Sequence, residues 1–275
     1  LFDRECSIQR RHQKIIEETP SPIMDDGLRQ KMGQTAVKVA QAVGYTNAGT
    51  VEFLLDRNKN FYFLEVNARI QVEHPITEMV TGVDLVRQQI LIASGEPLNI
   101  NSSNLKQRGH AIECRIYAED PHNNFMPSPG RIHFLKEPRS PGIRCDSGLY
   151  SGIEISPYYD PILSKLISWG ETREISRQRL IAALDEYIII GIRSTVDFLK
   201  GILGDNDYIL GKLSTGFVER YFDKIKGLPI EKKIPQEIVI AAAIASQGRP
   251  GTKKIMHVKE TTSDPWLTIG KWEIG

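Results

Sequence analysis

The sequence predicts an α+β protein, in which strands and helices follow one another without a regular βαβ alternation. Three observations favour this class. Several short stretches alternate polar and apolar residues with a period of two, as half-buried strands do. Residues 28–43 and 172–190 have the apolar spacing of amphipathic helices. Residues 109–150 contain short β-type runs broken by proline and glycine, which indicates a compact β-rich unit.

Length and composition indicate a globular protein. A chain of 275 residues corresponds to one large domain or two ordinary ones. Its 35 Lys and Arg against 34 Asp and Glu leave a net charge of +1, which argues against a nucleic-acid partner. Apolar runs are far shorter than the roughly 18 residues of a membrane span, so we expect no membrane partner.

The three cysteines, Cys6, Cys114 and Cys145, are odd in number and form no Cys-x-x-Cys pair. This pattern argues against a zinc site and a disulfide framework. It favours a reducing compartment, such as a bacterial cytoplasm or the mitochondrial matrix. The chain starts at Leu1 without the features of a signal peptide, and we expect it to be part of a longer polypeptide.

The N-terminal region predicts a strand followed by a helix. Residues 6–16 alternate as in a single strand. One face of that strand consists of Cys6, Ile8, Arg10, His12 and Lys14. Residues 28–43 predict a helix with Asp26 as its N-cap and Gly44 at its end. Its apolar stripe comprises Met32, Ala36, Val39, Ala40 and Val43.

A hairpin and a second helix follow. The β-type runs 49–55 and 61–67 flank the turn-like residues 56–60, which predicts a β-hairpin. Residues 84–94 predict a helix that is closed by Gly95.

The remaining chain predicts a second unit and a tail. The polar residues 99–107 mark a domain boundary, and residues 162–168 predict a strand. Residues 172–190 predict one helix, and its inward face is formed by Ile175, Leu180, Ile181, Leu184 and Ile188. Residues 238–245 predict a linker helix. The expected domains are 1–100, 108–228 and, as a linker with the start of another module, 229–275.

The stretch from Phe63 to His74 carries the chemistry. Its polar residues share one face while the chain stays extended, and they are Glu65, Asn67, Arg69, Gln71 and Glu73. A half-buried edge strand with a solvated face also fits this pattern. However, exposed strand faces favour Thr, Lys and Tyr over Asn and paired acids.

The predicted hairpin brings two acids together. With an assumed four-residue loop at 57–60, Glu52 lies opposite Glu65, and directly opposed like charges destabilise a sheet. Either one carboxylate is protonated or a cation lies between them. Asn67 adds an amide oxygen on the same face, and such hard ligands suit Mg²⁺ or Mn²⁺.

An anion site is predicted beyond the metal. Arg69 lies about 13 Å along the strand from Glu65, at roughly 3.3 Å per residue. It can meet an anion there, and Glu73 is a candidate general base. A metal, a cation and a base in this order form a layout for phosphoryl transfer. Taken alone, His12 and Lys14 also fit an ordinary surface, and Arg115 fits a structural ion pair.

Several strings resemble biotin carboxylases, which are ATP-grasp enzymes. They are CSIQRRHQK at 6–14, FLEVNARI at 63–70 with its extension QVEHPITEMVTGVDLV, AIECRIYAEDP at 111–121 and YYDPILSKLI at 158–167. The resemblance covers about residues 1–225. It implies the C-terminal lobe of an ATP-grasp domain, an antiparallel sheet with helices, followed by a small α+β biotin carboxylase C-terminal domain.

The resemblance also implies roles for individual residues. The metal on ATP is held by Glu52, Glu65 and Asn67. ATP itself contacts Gln9, His12, Glu52 and Glu65. Bicarbonate and biotin are bound by Lys14, Arg69, Gln71, Val72 and Arg115. The catalytic residues are Glu73, which deprotonates bicarbonate, and Arg69, which stabilises the biotin enolate.

The implied reaction is MgATP-dependent activation of bicarbonate to carboxyphosphate, followed by carboxylation of biotin on a carrier domain. The implied parent is the α chain of an acetyl- or propionyl-CoA carboxylase, which forms a homodimer or larger oligomer and has a carboxyltransferase partner. The alternatives are the biotin carboxylase portion of a pyruvate carboxylase, a ligase of carbamoyl-phosphate synthetase type, and a non-enzymatic module. The sequence shows no glycine-rich phosphate loop, so we expect the isolated chain to be inactive.

Overall fold

Strands and helices follow one another irregularly, which confirms the α+β class. The computed structural model describes residues 1–100, 105–225 and 240. The strands are β1 (Glu5–Arg10), β2 (Gln13–Thr19), β3 (Thr50–Leu55), β4 (Phe61–Asn67), β5 (His110–Tyr117), β6 (Glu119–Asp120), β7 (Met126–Pro127), β8 (Gly130–Arg131), β9 (Phe134–Lys136), β10 (Ile143–Ser147), β11 (Glu154–Ile155), β12 (Ile162–Gly170) and β13 (Ile188–Ile190). The helices are α1 (Asp26–Ala42), α2 (His74–Thr81), α3 (Leu85–Ala93), α4 (Arg173–Glu186), α5 (Val196–Gly204), α6 (Asn206–Ile209) and α7 (Phe217–Ile225).

A five-stranded antiparallel sheet with the order β1-β2-β5-β12-β10 organises the molecule. Side chains alternate between its faces, so one strand serves two different layers. On one face, Ile112 and Cys114 of β5 belong to the main core together with Leu180 and Leu184 of α4. On the other face, a smaller apolar cluster joins α2 to β5 and β12. The residues of the candidate site lie beside this second cluster.

The predicted single strand 6–16 is wrong, because a tight turn divides it into β1 and β2. Arg11 and His12 have positive φ values of 50° and 65°, and Arg10 pairs with Gln13. A two-residue hairpin needs this left-handed conformation at both central positions, and Asn-Gly or Asp-Gly usually provides it. Arg-His gives no such signal. His12 therefore lies in the turn and does not share a strand face with Ile8.

The predicted hairpin is confirmed, and Glu52 does lie opposite Glu65. The assumed four-residue loop is wrong. Leu55 pairs with Phe61, so five residues, 56–60, form the connection. The register shifts between the pair Glu52–Glu65 and the pair Phe53–Phe63, which leaves Leu64 as an extra residue. This β-bulge compensates for the longer loop and restores the predicted acid pair.

The predicted extension of this strand to Glu73 is wrong. Strand β4 ends at Asn67, and Glu73 occupies the N-cap position of α2, a helix that the sequence pattern did not predict. Pro75 lies in the first turn of α2, where its missing N–H removes no helical hydrogen bond. Arg69 is therefore not 13 Å along a strand from Glu65.

The other predicted helices need smaller corrections. The N-cap of α1 is Asp25, whose Oδ1 accepts from Leu28 N at 2.9 Å, and not Asp26. Val43, predicted in its apolar stripe, is 71% exposed. The predicted helix 172–190 ends at Glu186, and its last residues form β13, which pairs with β9.

Only part of the predicted inward face of α4 is buried. Leu180 and Leu184 are fully buried, whereas Ile175 and Ile188 are exposed. The predicted helix 84–94 is confirmed as α3, and its N-cap is Asp84. The predicted strand 162–168 is confirmed as β12. The three helices α5 to α7 were not predicted. The predictions for 229–275, including the linker helix 238–245, lie outside the described residues except for residue 240.

Among the residues with described positions, none of the helices combines the length and apolarity needed to cross a bilayer.

Candidate active site

Three parts of the chain supply the side chains of the candidate site: strand β2, the hairpin β3–β4 and the segment 68–73. A β-bulge in β2 lets this one strand supply two side chains of the site, Lys14 and Glu17. Ile8 pairs with Ile16 and Gln9 pairs with Lys14, so Ile15 is an extra residue. Without it, strand alternation would direct Lys14 and Glu17 to opposite faces of the sheet. The bulge shifts this alternation, and both side chains then reach the same group of charges.

Hydrogen-bond donors surround the opposed acids Glu52 and Glu65. The Nδ2 of Asn67 donates to Oε1 of Glu52 at 3.0 Å and to Oε1 of Glu65 at 2.9 Å. Glu52 Oε1 also accepts from Gln71 Nε2 at 2.6 Å and from Lys14 Nζ at 2.8 Å. The cation expected near the pair is thus present on one side as the ammonium of Lys14.

A divalent ion fits this acid pair if substrate completes its coordination. One amide atom of Asn67 lies within 3.0 Å of both carboxylates. Rotating that amide by half a turn presents its oxygen instead of its nitrogen. Within the described part of the chain, no group of three or more His, Cys, Asp or Glu could hold a metal. Two carboxylates and one amide oxygen therefore suit Mg²⁺ shared with phosphates, and do not form an all-protein cage.

Glu73 is buried between two cations. Its Oε1 accepts from Lys14 Nζ at 2.8 Å, and its Oε2 accepts from Arg115 at 2.9 Å. Burial raises the pKa of Glu73, but Lys14 and Arg4 lower it, and the pKa lies below its ordinary value. Burial alone lowers the pKa of Lys14, whereas the surrounding acidic groups raise it above its ordinary value. Both side chains are charged at neutral pH.

Arg115 connects Glu73 to a second buried acid. Its Nε donates to Oε1 of Glu17 at 2.6 Å, and Glu17 is 0% exposed. Burial lowers the pKa of Arg115, but Glu17 and Glu73 raise it overall. The guanidinium of Arg115 is thus permanently charged and fixed by two carboxylates.

Arg69, Gln71 and Val72 line one cavity of about 430 Å³. Arg69 NH2 donates to Oδ1 of Asn67 at 3.2 Å, so the guanidinium lies beside the acid pair. Gln71 is buried, and the carbonyl oxygen of Val72 accepts from Lys165 Nζ at 2.9 Å. The site is therefore more compact than an extended strand would make it.

The structure does not join His12 and Gln9 to this network. His12 is exposed in the β1–β2 turn, and Gln9 Nε2 donates to the backbone oxygen of Cys6 at 2.9 Å. Among the described residues, no side-chain hydrogen bond links either of them to Glu52 or Glu73.

Comparisons with known proteins place the chain in a family. Residues 1–101 match the model of the carbamoyl-phosphate synthase L chain ATP-binding domain, and residues 113–220 match that of the biotin carboxylase C-terminal domain. The chain is 56% identical over 221 residues to a pyruvate carboxylase subunit of Methanothermobacter thermautotrophicus, a match that covers 80% of this chain. The chain belongs to the biotin carboxylase family.

Two further relatives of this biotin carboxylase chain are informative. The human mitochondrial propionyl-CoA carboxylase α chain is 43% identical over 282 residues and covers 100% of this chain. The biotin carboxylase domain dimer of Hydrogenobacter thermophilus 2-oxoglutarate carboxylase was solved with MgADP, ADP and bicarbonate. It is 45% identical with a TM-score of 0.78, over 79% of this chain and 48% of that one. The chain spans 45% and 38% of the length of the two curated relatives.

The sequence pattern did not reveal three residues of the candidate site. Arg4 donates to the side chains of Thr50, Thr77 and Gln71. Glu17 holds Arg115, and Lys165 holds the backbone of Val72. Lys165 lies within the string YYDPILSKLI, where a lysine in an otherwise apolar strand was a usable signal. Arg4 and Glu17 have no local signal, because their partners are distant in sequence.

Proposed function

We propose that this chain forms the bicarbonate and biotin site of a biotin carboxylase and contributes the metal ligands for ATP. One observation carries the proposal: Glu73 is held by Lys14 at 2.8 Å and Arg115 at 2.9 Å, and Lys14 also contacts the acid pair through Glu52. A base, two cations and a pair of metal ligands are thus contiguous. We assign residues 1–100 to the ATP-grasp lobe and 108–228 to the C-terminal domain.

The metal ligands in this proposal are Glu52, Glu65 and Asn67. A bound Mg²⁺ or Mn²⁺ would neutralise charge on the ATP phosphates during transfer. The chain's own contribution is to keep both carboxylates directed at one point, through the donors of Asn67 and Gln71. In the same proposal, Gln9 and His12 contact the nucleotide from the β1–β2 hairpin.

Glu73 acts as the general base on bicarbonate. Its lowered pKa keeps it ionised at neutral pH, so it is able to accept a proton. An anion bound between Lys14 and Arg115 shares their charge and thereby raises the pKa of Glu73. The base thus becomes stronger once bicarbonate is bound, and the bicarbonate oxygen it deprotonates attacks the γ-phosphate to give carboxyphosphate.

Biotin is carboxylated in the second step. Carboxyphosphate breaks down to CO₂ and phosphate. The CO₂ bonds to the ureido nitrogen of biotin on a carrier domain, and the proton of that nitrogen passes to the released phosphate. Arg69 stabilises the biotin enolate, and Arg115 contacts both bicarbonate and the biotin ring. Gln71 and the backbone of Val72 complete the anion site. The side chain of Arg69 is exposed and lines the cavity, which makes it accessible to an arriving carrier domain.

The parent that we propose is the α chain of an acyl-CoA carboxylase. The human propionyl-CoA carboxylase α chain matches the whole chain, including residues 226–275. We infer two partners, a biotin carrier domain and a carboxyltransferase subunit. We also infer a homodimer or larger oligomer, located in a bacterial cytoplasm or the mitochondrial matrix. A pyruvate carboxylase is the second candidate, because the Methanothermobacter protein has the higher identity of the two relatives, 56%. The match to a biotin carboxylase C-terminal domain argues against a ligase of carbamoyl-phosphate type.

The test is ATP cleavage by the full-length carboxylase that carries this chain. Cleavage should require bicarbonate and be stimulated by free biotin, and Arg69→Ala should abolish the response to biotin. Arg57→Ala is the matched control, because Arg57 is an exposed arginine in the turn of the same hairpin. If cleavage does not respond to biotin in the wild type, the proposal is wrong. Unchanged activity of Arg69→Ala would favour a non-enzymatic module or another reaction.

A further inference from the structure

Two acids lie opposite each other inside the main sheet, behind Arg115. Glu17 of β2 pairs directly with Glu113 of β5, and both are 0% exposed. Directly opposed residues of an antiparallel pair have Cβ atoms about 4.5–5.5 Å apart, and like charges there are destabilising. Two ionised carboxylates at this depth would also lose their hydration. The pair is therefore expected to retain at least one proton.

The hydrogen bonds indicate which acid holds the proton. Glu17 Oε1 accepts from Arg115, whereas its Oε2 and both oxygens of Glu113 have no hydrogen-bond partner among the described residues. A guanidinium stabilises an ionised carboxylate. Within the described part of the chain, Glu113 has no hydrogen-bonded cation, and the register places it directly opposite Glu17, whose Oε2 lacks a donor. A proton on Glu113 is the arrangement that can serve both acids.

We propose that Glu17 is a positioning residue that holds Arg115 beside Glu73 for the bicarbonate site, and that Glu113 keeps a proton and donates it to Glu17. The functional part rests on the biotin carboxylase assignment above, whereas the proton on Glu113 does not. Arg115 has a rigid, planar set of donors. Its Nε and one terminal nitrogen both contact Oε1 of Glu17, and that same terminal nitrogen donates to Oε2 of Glu73. Without that anchor, Arg115 can rotate away from Glu73.

The charges around the pair favour a neutral Glu113. Three acids, Glu17, Glu52 and Glu73, already contact the two cations Lys14 and Arg115. Ionisation of Glu113 would add a negative charge next to the site that has to bind an anion. The proton on Glu113 thus preserves the affinity of the site for bicarbonate.

The pair should titrate in two steps that belong to both acids. Burial raises the pKa of Glu17 to about 7, against the lowering effect of Arg115. Burial, and then Glu17, raise the pKa of Glu113 well above its ordinary value. As the pH falls below about 7, Glu17 becomes neutral and its hold on Arg115 weakens. The affinity for bicarbonate should decrease in that range.

Among the described residues, no other group facing Glu17 should change its charge between about pH 6 and 8.5. The charged neighbours are Lys14, Glu73 and Arg115, and the pKa of each cation is raised while that of Glu73 is lowered. The remaining neighbours are Cys6, Cys114 and Tyr117, and burial raises the pKa of each. Lys165 of β12, which pairs with Arg115, lowers the pKa of Glu113 against the effects of burial and of Glu17. A pH response in this range therefore reports on the Glu17–Glu113 pair, and the two variants Glu17→Gln and Glu113→Gln separate its members.

The experiment measures the KM for bicarbonate in the full-length carboxylase from about pH 6 to 8.5. Glu17→Gln should raise this KM about tenfold at pH 8.5, since a hydrogen bond to a charged group is worth about 1.5–3 kcal/mol. The KM for MgATP should change less than about twofold. The ratio of variant to wild-type KM cancels the ionisation of bicarbonate itself. This ratio of KM values should fall toward one at about pH 6, where the wild-type Glu17 is also neutral.

Glu18→Gln is the matched control. Glu18 is the next residue on β2, is also buried, and pairs with Arg173 and His110 instead of Arg115. Loss of the Glu18 charge should lower thermal stability but leave the ratio of KM values independent of pH. Glu113→Gln introduces a neutral side chain of similar shape, and it should raise the KM for bicarbonate less than about threefold. A pH-independent ratio for Glu17→Gln, or an equal loss in Glu113→Gln, overturns the proposal.

A second measurement does not depend on activity. Infrared spectra of the wild-type carboxylase at about pH 8 should contain the carbonyl band of a buried, protonated carboxyl group, and Glu113→Gln should remove it. Absence of the band, or its persistence in that variant, refutes the proton on Glu113 even if Glu17→Gln does not fold. If the wild-type enzyme cleaves no ATP in response to bicarbonate and biotin, the assigned function fails instead, and the infrared result still decides the proton.

Discussion

Replacing Arg115 by methionine should destabilise the fold in a pH-dependent way. The side chain of Arg115 is only 12% exposed, and it neutralises Glu17 and Glu73, which are 0% and 2% exposed. Breaking a buried ion pair by removing one partner costs about 3–5 kcal/mol of the free energy of unfolding. Arg115→Met leaves both carboxylates without the guanidinium, so we expect a loss of this size at about pH 8.

The loss should be smaller at lower pH. Burial without Arg115 raises the pKa of Glu17 further above the ordinary value of about 4.3. A carboxyl group whose pKa is raised in the folded state binds more protons there than in the unfolded chain. The free energy of unfolding therefore falls as the pH rises from the unfolded pKa to the folded pKa. Each pH unit contributes up to about 1.4 kcal/mol. The wild-type Glu17, with a pKa of about 7, also binds a proton below pH 7. The two proteins therefore differ by one pH unit, and the loss at pH 6 should be about 1.4 kcal/mol smaller than at pH 8.

Urea unfolding of the chain, followed by circular dichroism at about pH 6 and pH 8, measures this difference. Lys200→Met is the control, because Lys200 is 34% exposed and its ion-pair partner Asp185 is 56% exposed. Exposed ion pairs contribute about 0–1 kcal/mol, so this variant should lose little at either pH. Equal losses for Arg115→Met at both pH values would contradict our account of the buried acids, as would a loss no larger than that of the control.

Three further outcomes are expected. Glu73→Gln in the full-length carboxylase should lower bicarbonate-dependent ATP cleavage about 10²–10⁴-fold with little change in the KM for MgATP; a residual activity above a tenth would exclude Glu73 as the base. Glu65→Gln should raise the Mg²⁺ concentration for half-maximal activity at least about tenfold, whereas Asp56→Asn in the nearby turn should not. Gly191→Ala should destabilise the chain by about 1–3 kcal/mol in thermal unfolding, because Gly191 has a φ of 123° and its Cβ would collide with the carbonyl oxygen of Arg131.

The predicted acid pair shows how far local pattern reaches. Glu52 and Glu65 were predicted to face each other because two alternating runs flank a short turn, and both features lie within a few residues. The predicted acid pair is correct although the loop is one residue longer than assumed, because the bulge at Leu64 compensates for the extra residue. The predicted register is wrong only between the bulge and the loop, where Phe53 and not Leu54 pairs with Phe63, because alternation carries no information on a bulge.

The predictions failed where the chain changes direction. Arg11 and His12 form a tight turn without the usual turn residues, and the polar alternation beyond Asn67 continues into a loop and the start of α2. A period of two in sequence does not require an extended backbone. Pro75, which favours a helix start, was the one local signal against a continuous strand.

The amino-acid sequence by itself determined the α+β class, the hairpin with its acid pair and the resemblance to biotin carboxylases, because these depend on periodicity and on strings of neighbouring residues. Only the tertiary structure decided how the base is held. Lys14 reaches Glu73 across 59 positions, and Arg115 reaches Glu17 across 98. The turn at 11–12, the bulge at Ile15 and the pairing of β2 with β5 create these contacts. Such contacts depend on packing between distant strands, and no local pattern encodes which distant strand will be the neighbour.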